Sequence, residues 1–282
     1  MRRRSMAMVL AERARVLRSS FVSTTTESRQ RRGVASKRHP VTTTFAAENS
    51  KTTTTRSNDA MMPKEHERTK KWVAFSDLHA SRKTKDVCLE TLKHVHDVAQ
   101  RENRGILFLG DFWHHRGALP VDTLNEIMAA ISRWTQPTIM LVGNHDQVNV
   151  QGSVHALEVL RMCNPEKIVV FDEPRVWKGA MWLPYRKDQE TLRRTVGDLV
   201  RTNGKKEPSI KTVFCHADVL GANVNQTFQI KNGMDSKETF SEEKTGIESI
   251  ISGHYHKPHF VERDSRVRYV GSPYQVSRAE KN

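Results

Sequence analysis

Five short stretches carry the residue types that hold metal ions. Val73-Ala74-Phe75-Ser76-Asp77-Leu78-His79 is an apolar run that ends in Asp-x-His. Ile106 to Asp111 (ILFLGD), Ile139 to Asp146 (IMLVGNHD), Thr212 to Asp218 (TVFCHAD) and Ser249 to His256 (SIISGHYH) repeat the design, each running apolar into His, Asp or Asn. Oxygen and imidazole donors mixed in one site suit first-row divalent ions such as Mn, Fe or Zn better than a thiolate site or an all-oxygen Ca or Mg cage. Asp77, His79, Asp111, Asn144, His216, His254 and His256 make seven candidate ligands. That is too many for one ion with an open position and suits two ions that share a carboxylate. Any one of these histidines alone would be an ordinary satisfied side chain, but five such endings in one chain point to a metal site.

Residues so far apart in sequence meet only if the strands that carry them share an edge. In open α/β sheets ligands bind at the carboxyl ends of the strands, so the five runs are expected to end at one place. The intervening segments have the patterning this requires. Asp86 to Asn103 carries apolar residues at helical spacing and breaks at Arg104-Gly105; Pro120 opens a helix over Val121 to Trp134; Pro137 opens the third strand. Ser153 to Met162 reads as a further helix, Lys167 to Phe171 and Val176 to Pro184 as strands, and Lys187 to Arg201 as a helix. Gly221 to Gly246 is polar and irregular, and from Glu248 the chain turns to short strands without helices between them. Alternating βα units followed by a β-rich end predict two sheets packed between helices.

The net charge of +14 is concentrated at the start of the chain: residues 1–71 hold 17 Lys and Arg against 6 Asp and Glu, and the rest holds 29 against 26. The body is therefore nearly neutral, and the basic balance is no evidence for a basic binding face on it. Residues 1–68 are Arg-rich, Ser/Thr-rich and poor in acids, the composition of an organelle transit peptide to chloroplast or mitochondrion, with a basic tail of a cytoplasmic or nuclear protein as the alternative. Residues 69–282 form the expected folded domain. Cys88, Cys163 and Cys215 are an odd number at unrelated spacings, which argues against a disulfide framework. No apolar run approaches the length of a membrane span.

Asp77-Leu78-His79, Gly110-Asp111, Gly143-Asn144-His145-Asp146, His216 and Gly253-His254-Tyr255-His256 together resemble the signature of the calcineurin-like metallophosphoesterases, over about Trp72 to Tyr274. The resemblance implies a four-layer α/β/β/α sandwich and a dinuclear centre. Asp77, His79, Asp111 and His256 would hold one ion, Asp111, Asn144, His216 and His254 the other, with Asp111 as the bridge. Such a centre lowers the pKa of bound water to about 7 and supplies a hydroxide for in-line attack on a phosphoester. His145 would protonate or stabilise the leaving oxygen, and Asp146 would orient the His145 ring. The sequence departs from the common Gly-Asp-x-x-Asp form: His114 stands where the second Asp would be. His114 and Arg116 are candidate substrate contacts, Arg116 as a bidentate phosphate clamp. Cys215 is read as a core residue that faces away from the metals.

The implied activity is hydrolysis of phosphoric ester bonds. The tail Tyr269-Val270-Gly271-Ser272-Pro273-Tyr274-Gln275 resembles a segment of the DNA-repair exonuclease and phage recombination nuclease branch, which points to a nuclease-type phosphodiesterase acting on DNA or a nucleotide. The alternatives are a small-molecule phosphatase or cyclic-nucleotide phosphodiesterase and, in another class, a non-catalytic scaffold of the same fold. The repair nucleases continue into a capping region, so a truncated carboxyl end is also expected.

Overall fold

The structure is a computed structural model and describes residues 62–203, 209–224, 228–241 and 245–276. Strands β1 (Trp72–Phe75), β2 (Gly105–Phe108), β3 (Thr138–Leu141) and β4 (Ile168–Phe171) pair in that order, all parallel. Helices α2 (Lys85–Arg101), α3 (Val121–Ile131) and α4 (Glu158–Cys163) make the three crossovers. Crossovers between parallel strands are right-handed, so a sheet that adds each new strand on the same side carries every helix on one face. The other face is left apolar and needs a second cover.

A second sheet supplies it, in the order β5 (Arg175–Trp177), β6 (Ala180–Leu183), β7 (Thr212–His216), β8 (Ser249–Gly253), β10 (Asp264–Tyr269), β9 (His259–Val261). Its strands β6, β7, β8 and β10 are mutually parallel. The period-2 alternation of a strand is visible in how the core divides. Ile106, Phe108, Met140 and Val142 point to α2–α4. Leu107, Leu109, Ile139 and Leu141 point the other way, against Trp182, Phe214 and Ile251 of the second sheet. Val213, Cys215 and Ile250 face outward and pack with Leu192 and Val196 of α5 (Gln189–Asn203). Three apolar interlayers make a four-layer α/β/β/α sandwich, as expected from the sequence. The central strands β2 and β3 are apolar without alternation because both of their faces are covered.

The structure differs from the sequence reading in three places. Residues 64–68, which composition places with the leader, form the short helix α1 (Lys64–Arg68), whose His66 is 0% exposed and reaches the carbonyls of Thr138 and Lys167 at 3.2 and 3.0 Å. The folded part thus begins by Met62, and the remainder of the leader lies outside the described residues. The strand expected over 176–184 is a hairpin of β5 and β6, turned at Lys178 and Gly179, both at positive φ (57° and 68°). The helix expected from Ser153 starts only at Glu158, because the preceding backbone is drawn back to the metal-motif turn: Val154 O accepts from Val148 N (2.8 Å) and Ala156 N donates to Asp146 O (2.8 Å). The polar stretch from Gly221 contains the short helix α6 (Ser236–Thr239), capped by the Asp235 side chain.

Candidate metal centre

The carboxyl ends of β1, β2, β3, β7 and β8 meet at one edge of the two sheets. His216 Nδ1–H, at the end of β7, donates to Leu109 O beyond β2 (2.6 Å), and His254 N–H, beyond β8, donates to both Asp77 oxygens (3.1 Å each). Gly143 is needed at this seam, since a Cβ there would lie 2.2 Å from Asp111 Oδ1. Four candidate ligands leave their strands in the left-handed region: Asp77 (φ 55°), His79 (46°), Asp111 (61°) and His254 (93°). Residues other than glycine hold such a conformation only where the surroundings over-determine it, and such positions gather at functional sites.

Ligand atoms of Asp77, His79 and His256 lie within 4.8 Å of one another, and so do those of Asp111, His216 and His254. Asp111 stands between the groups, with Oδ1 3.4 Å from His216 Nε2 and Oδ2 3.7 Å from His79 Nε2. Asn144 Oδ1 lies 3.1 Å from His216 Nε2, and His79 Nε2 faces His256 Nε2 at 3.0 Å. All seven predicted ligands are therefore brought to one place. Asp77, Asp111, His79 and His216 are buried, and among the described residues no Lys or Arg pairs with either carboxylate. Buried carboxylates with no Lys or Arg beside them, mixed with imidazoles, are a donor set that fits divalent metal ions.

The electrostatics of the cluster without metal agree with that fit at His79 and Asp111. Burial pushes the His79 ring down to about 3, against the pull of Asp111, which leaves it neutral as a ligand must be. Burial likewise raises the Asp77 carboxyl. For Asp111 burial acts upward, yet the neighbouring His216 and His79 rings outweigh it and hold the carboxyl well below the usual range. Without metal, His216 is the partner of that charge, and Asp111 lifts its ring to about 9 against the opposing effect of burial.

His145 sits beside the groups, half-buried. Its N–H donates to Asp111 Oδ1 (2.8 Å) and its Nδ1–H to the His114 carbonyl (2.9 Å), which leaves Nε2 to carry or release a proton. The ring is therefore oriented by a carbonyl and not, as the sequence suggested, by Asp146. The Asp146 carboxylate is fully buried and accepts from the amides of Gly143 (3.0 Å), Asp111 (2.9 Å), Phe112 (2.9 Å) and Trp113 (3.2 Å). These converge on it because the Gly143–Asp146 turn lies across the chain leaving β2. Burial and the nearby Asp111 carboxylate push Asp146 up to about 7, and the amides act the other way. His114 is exposed at the rim, its ring stacked on His145 (5.9 Å between centroids, 18° between planes) and edge-on to His79 at 5.6 Å. Arg116 is exposed two residues on. Cys215 faces the outer core, where burial raises its thiol to about 12.

Two residues of the site were not singled out by the sequence. Asp218 Oδ1 accepts from His254 Nε2–H (3.0 Å) and from the Tyr255 hydroxyl, which turns His254 Nδ1 toward His216 (3.2 Å). A carboxylate holding the far nitrogen of a metal-ligand histidine fixes its tautomer. The string His216-Ala217-Asp218 contained that signal. Tyr185 follows β6, and its ring lies 5.7 Å from His254 and 6.2 Å from His216. No ligand-type residue marks that strand end, so nothing in the sequence pointed to it.

A parallel sheet and a mostly parallel one back to back, with a His/Asp/Asn cluster at their shared carboxyl edge, define a metal-dependent phosphoesterase architecture. The sequence profile of the calcineurin-like phosphoesterases matches residues 71–258, and the chain belongs to that family. Among solved structures similar to it, one is 12% identical, with 71% of this chain and 90% of that one covered and a TM-score of 0.43. Another is the nuclease MPE of Pseudomonas putida, 15% identical, with 77% and 82% covered and a TM-score of 0.38. A search of curated proteins finds no match. Among the described residues no helix is long and apolar enough to cross a membrane.

Proposed function

We propose that this chain hydrolyses phosphoesters, and within that class phosphodiesters of the nuclease type. Asp77, His79, Asp111 and His256 would hold one divalent ion, and Asp111, Asn144, His216 and His254 the other, with Mn, Fe or Zn as the metals. The observation that carries this reading is the position of Asp111, whose two oxygens face different ligand groups at 3.4 and 3.7 Å. Ions held there would supply positive charge for the phosphoryl oxygens and acidify a water. His145 gives its Nε2 proton to the leaving oxygen, with the ring held by the His114 carbonyl through Nδ1. Asp146 acts indirectly, by locking the turn that presents Asn144 and His145 against the Asp111 loop. His114 and Arg116, both exposed, contact the substrate in this reading.

The diester part of the proposal rests on the tail Tyr269–Gln275 and its resemblance to the repair nucleases. We also propose that the residues before Met62 direct the chain to chloroplast or mitochondrion. The test of the activity is turnover by the Mn-loaded chain on single-stranded DNA, double-stranded DNA, cyclic nucleotides and nitrophenyl phosphate esters. Metal-dependent cleavage of DNA is expected. Turnover confined to monoesters or cyclic nucleotides overturns the nuclease assignment, and two bound ions with no turnover on any ester would make the chain a scaffold.

A further inference from the structure

The chain leaving β10 runs across both loops that carry the first ligand group. Val270 N–H donates to Ser252 O (3.0 Å) and Ser272 N–H to the carbonyl of His256 (2.9 Å). Gly271 stands between them at φ 75°, where a Cβ would lie 2.8 Å from that His256 oxygen and 2.7 Å from Pro258. Only glycine lets the backbone lie this close in that conformation. Ser272 Oγ–H closes a turn onto Tyr274 O (2.7 Å), and the Tyr274 hydroxyl then donates to the carbonyl of Leu78. The Cys88 thiol, 3.4 Å from the same hydroxyl, backs it from the core.

Leu78 is the residue between Asp77 and His79, both in the left-handed region. Its carbonyl is one of the bonds that fix the two ligands together, beside Asp77 N–H to Gly110 O (2.9 Å) and His79 N–H to Asp111 O (3.0 Å). At its other end the segment holds the carbonyl of His256, whose ring faces His79 at 3.0 Å. The second group has supports of its own, Leu109 O on His216 and Asp218 on His254, and meets the first where His254 N–H donates to the Asp77 carboxylate.

On the dinuclear reading above, we propose that Gly271–Tyr274 is a positioning strap for one ion only, the one held by Asp77, His79 and His256. Tyr274 and Gly271 set the affinity of that ion by tying its two ligand loops together, and the other ion does not depend on them. The tail segment that resembles the repair nucleases thus serves the metal centre directly.

The test is a Mn²⁺ titration of the full chain by calorimetry, with electron paramagnetic resonance to separate a coupled pair from a single ion. In Tyr274→Phe one of the two dissociation constants is expected to rise about tenfold, the usual effect of an outer-sphere partner, with the other unchanged. The coupled signal returns at high Mn²⁺, and the thermal midpoint of the metal-free protein stays near wild type. Gly271→Ala should give the same one-sided loss and serves if the first variant does not fold. Asp218→Asn should weaken the opposite ion. Unchanged affinities, or equal weakening of both ions in the strap variants, overturn the strap while leaving the centre intact. Fewer than two ions on the unmodified chain would overturn the dinuclear reading itself, and the strap with it.

Discussion

Asp111 is where the two ligand groups join, and its neighbours divide the chemistry among single residues. Asp111→Asn keeps the shape but removes the charge that two cations share, so metal stoichiometry and turnover should fall together while the fold persists; two tightly held ions with normal turnover would refute the bridge. His145→Asn should keep both ions and lose on the order of 10² to 10⁴ in rate on esters with poor leaving groups, and less on nitrophenyl esters, whose leaving group needs little protonation. Equal losses on both would remove His145 as the acid. Asp146→Ala should act on the fold instead, because it strands four buried amides. Urea unfolding of the metal-free protein should show a loss of about 3 kcal/mol or more. The candidate ligands were legible in the sequence because each follows an apolar run. The role of Asp146 was not, since three of the four amides that hold it belong to a loop more than thirty residues away, and adjacency to His145 suggested the wrong partner.

At the scale of elements, α1 shows where composition misleads. Residues 64–68 share the polar character of the leader, yet His66 docks them, with Glu65 on Lys167, Glu67 on the Trp177 indole and Lys178 on the His66 and Glu67 carbonyls. His66 Nε2–H is shared between the Thr138 and Lys167 carbonyls, next to the amino ends of β3 and β4. A chain that begins at Pro63 should therefore melt like the full chain, whereas one that begins at Thr69 should melt about 5 °C lower, the effect of losing a buried polar anchor of roughly 1–2 kcal/mol. Burial holds the His66 ring below its ordinary 6.5, against the carbonyl bonds that would raise it. The neutral ring is thus the folded form, and its contribution is complete above the unfolded value and lost as the pH falls through the folded one. The stability gap between wild type and His66→Gln should accordingly narrow from pH 7.5 to pH 5; a gap that widens would contradict a neutral buried ring. The strands and long helices were legible because their periodicity is local. The start of α4 and the β5–β6 hairpin were not, because backbone bonds to the Asp146 turn decide the first and a two-residue turn within one apolar run decides the second.

For the whole molecule the question is how a nearly neutral body could act on a polyanion. Beyond residue 71 the chain holds 29 basic against 26 acidic residues, while the first 71 carry 17 against 6. Each phosphate neutralised by Lys or Arg steepens the salt dependence of binding, with log K falling by about 0.9 per contact for each tenfold rise in salt. If the centre itself engages the diester and no basic track extends from it, the KM for double-stranded DNA should rise about tenfold or less between 50 and 200 mM salt in the chain that begins at Pro63, equivalent to about two contacts. The full chain should bind DNA more tightly at low salt and lose that advantage at 200 mM, because its extra charge lies in the leader. Turnover on nitrophenyl esters should be equal in the two forms at both salt concentrations. A steep salt dependence in the shorter form, of about a thousandfold over the same range, would mean that six or more cations of the folded body line a track. The mouth at His114 and Arg116 would then be only the beginning of the DNA site.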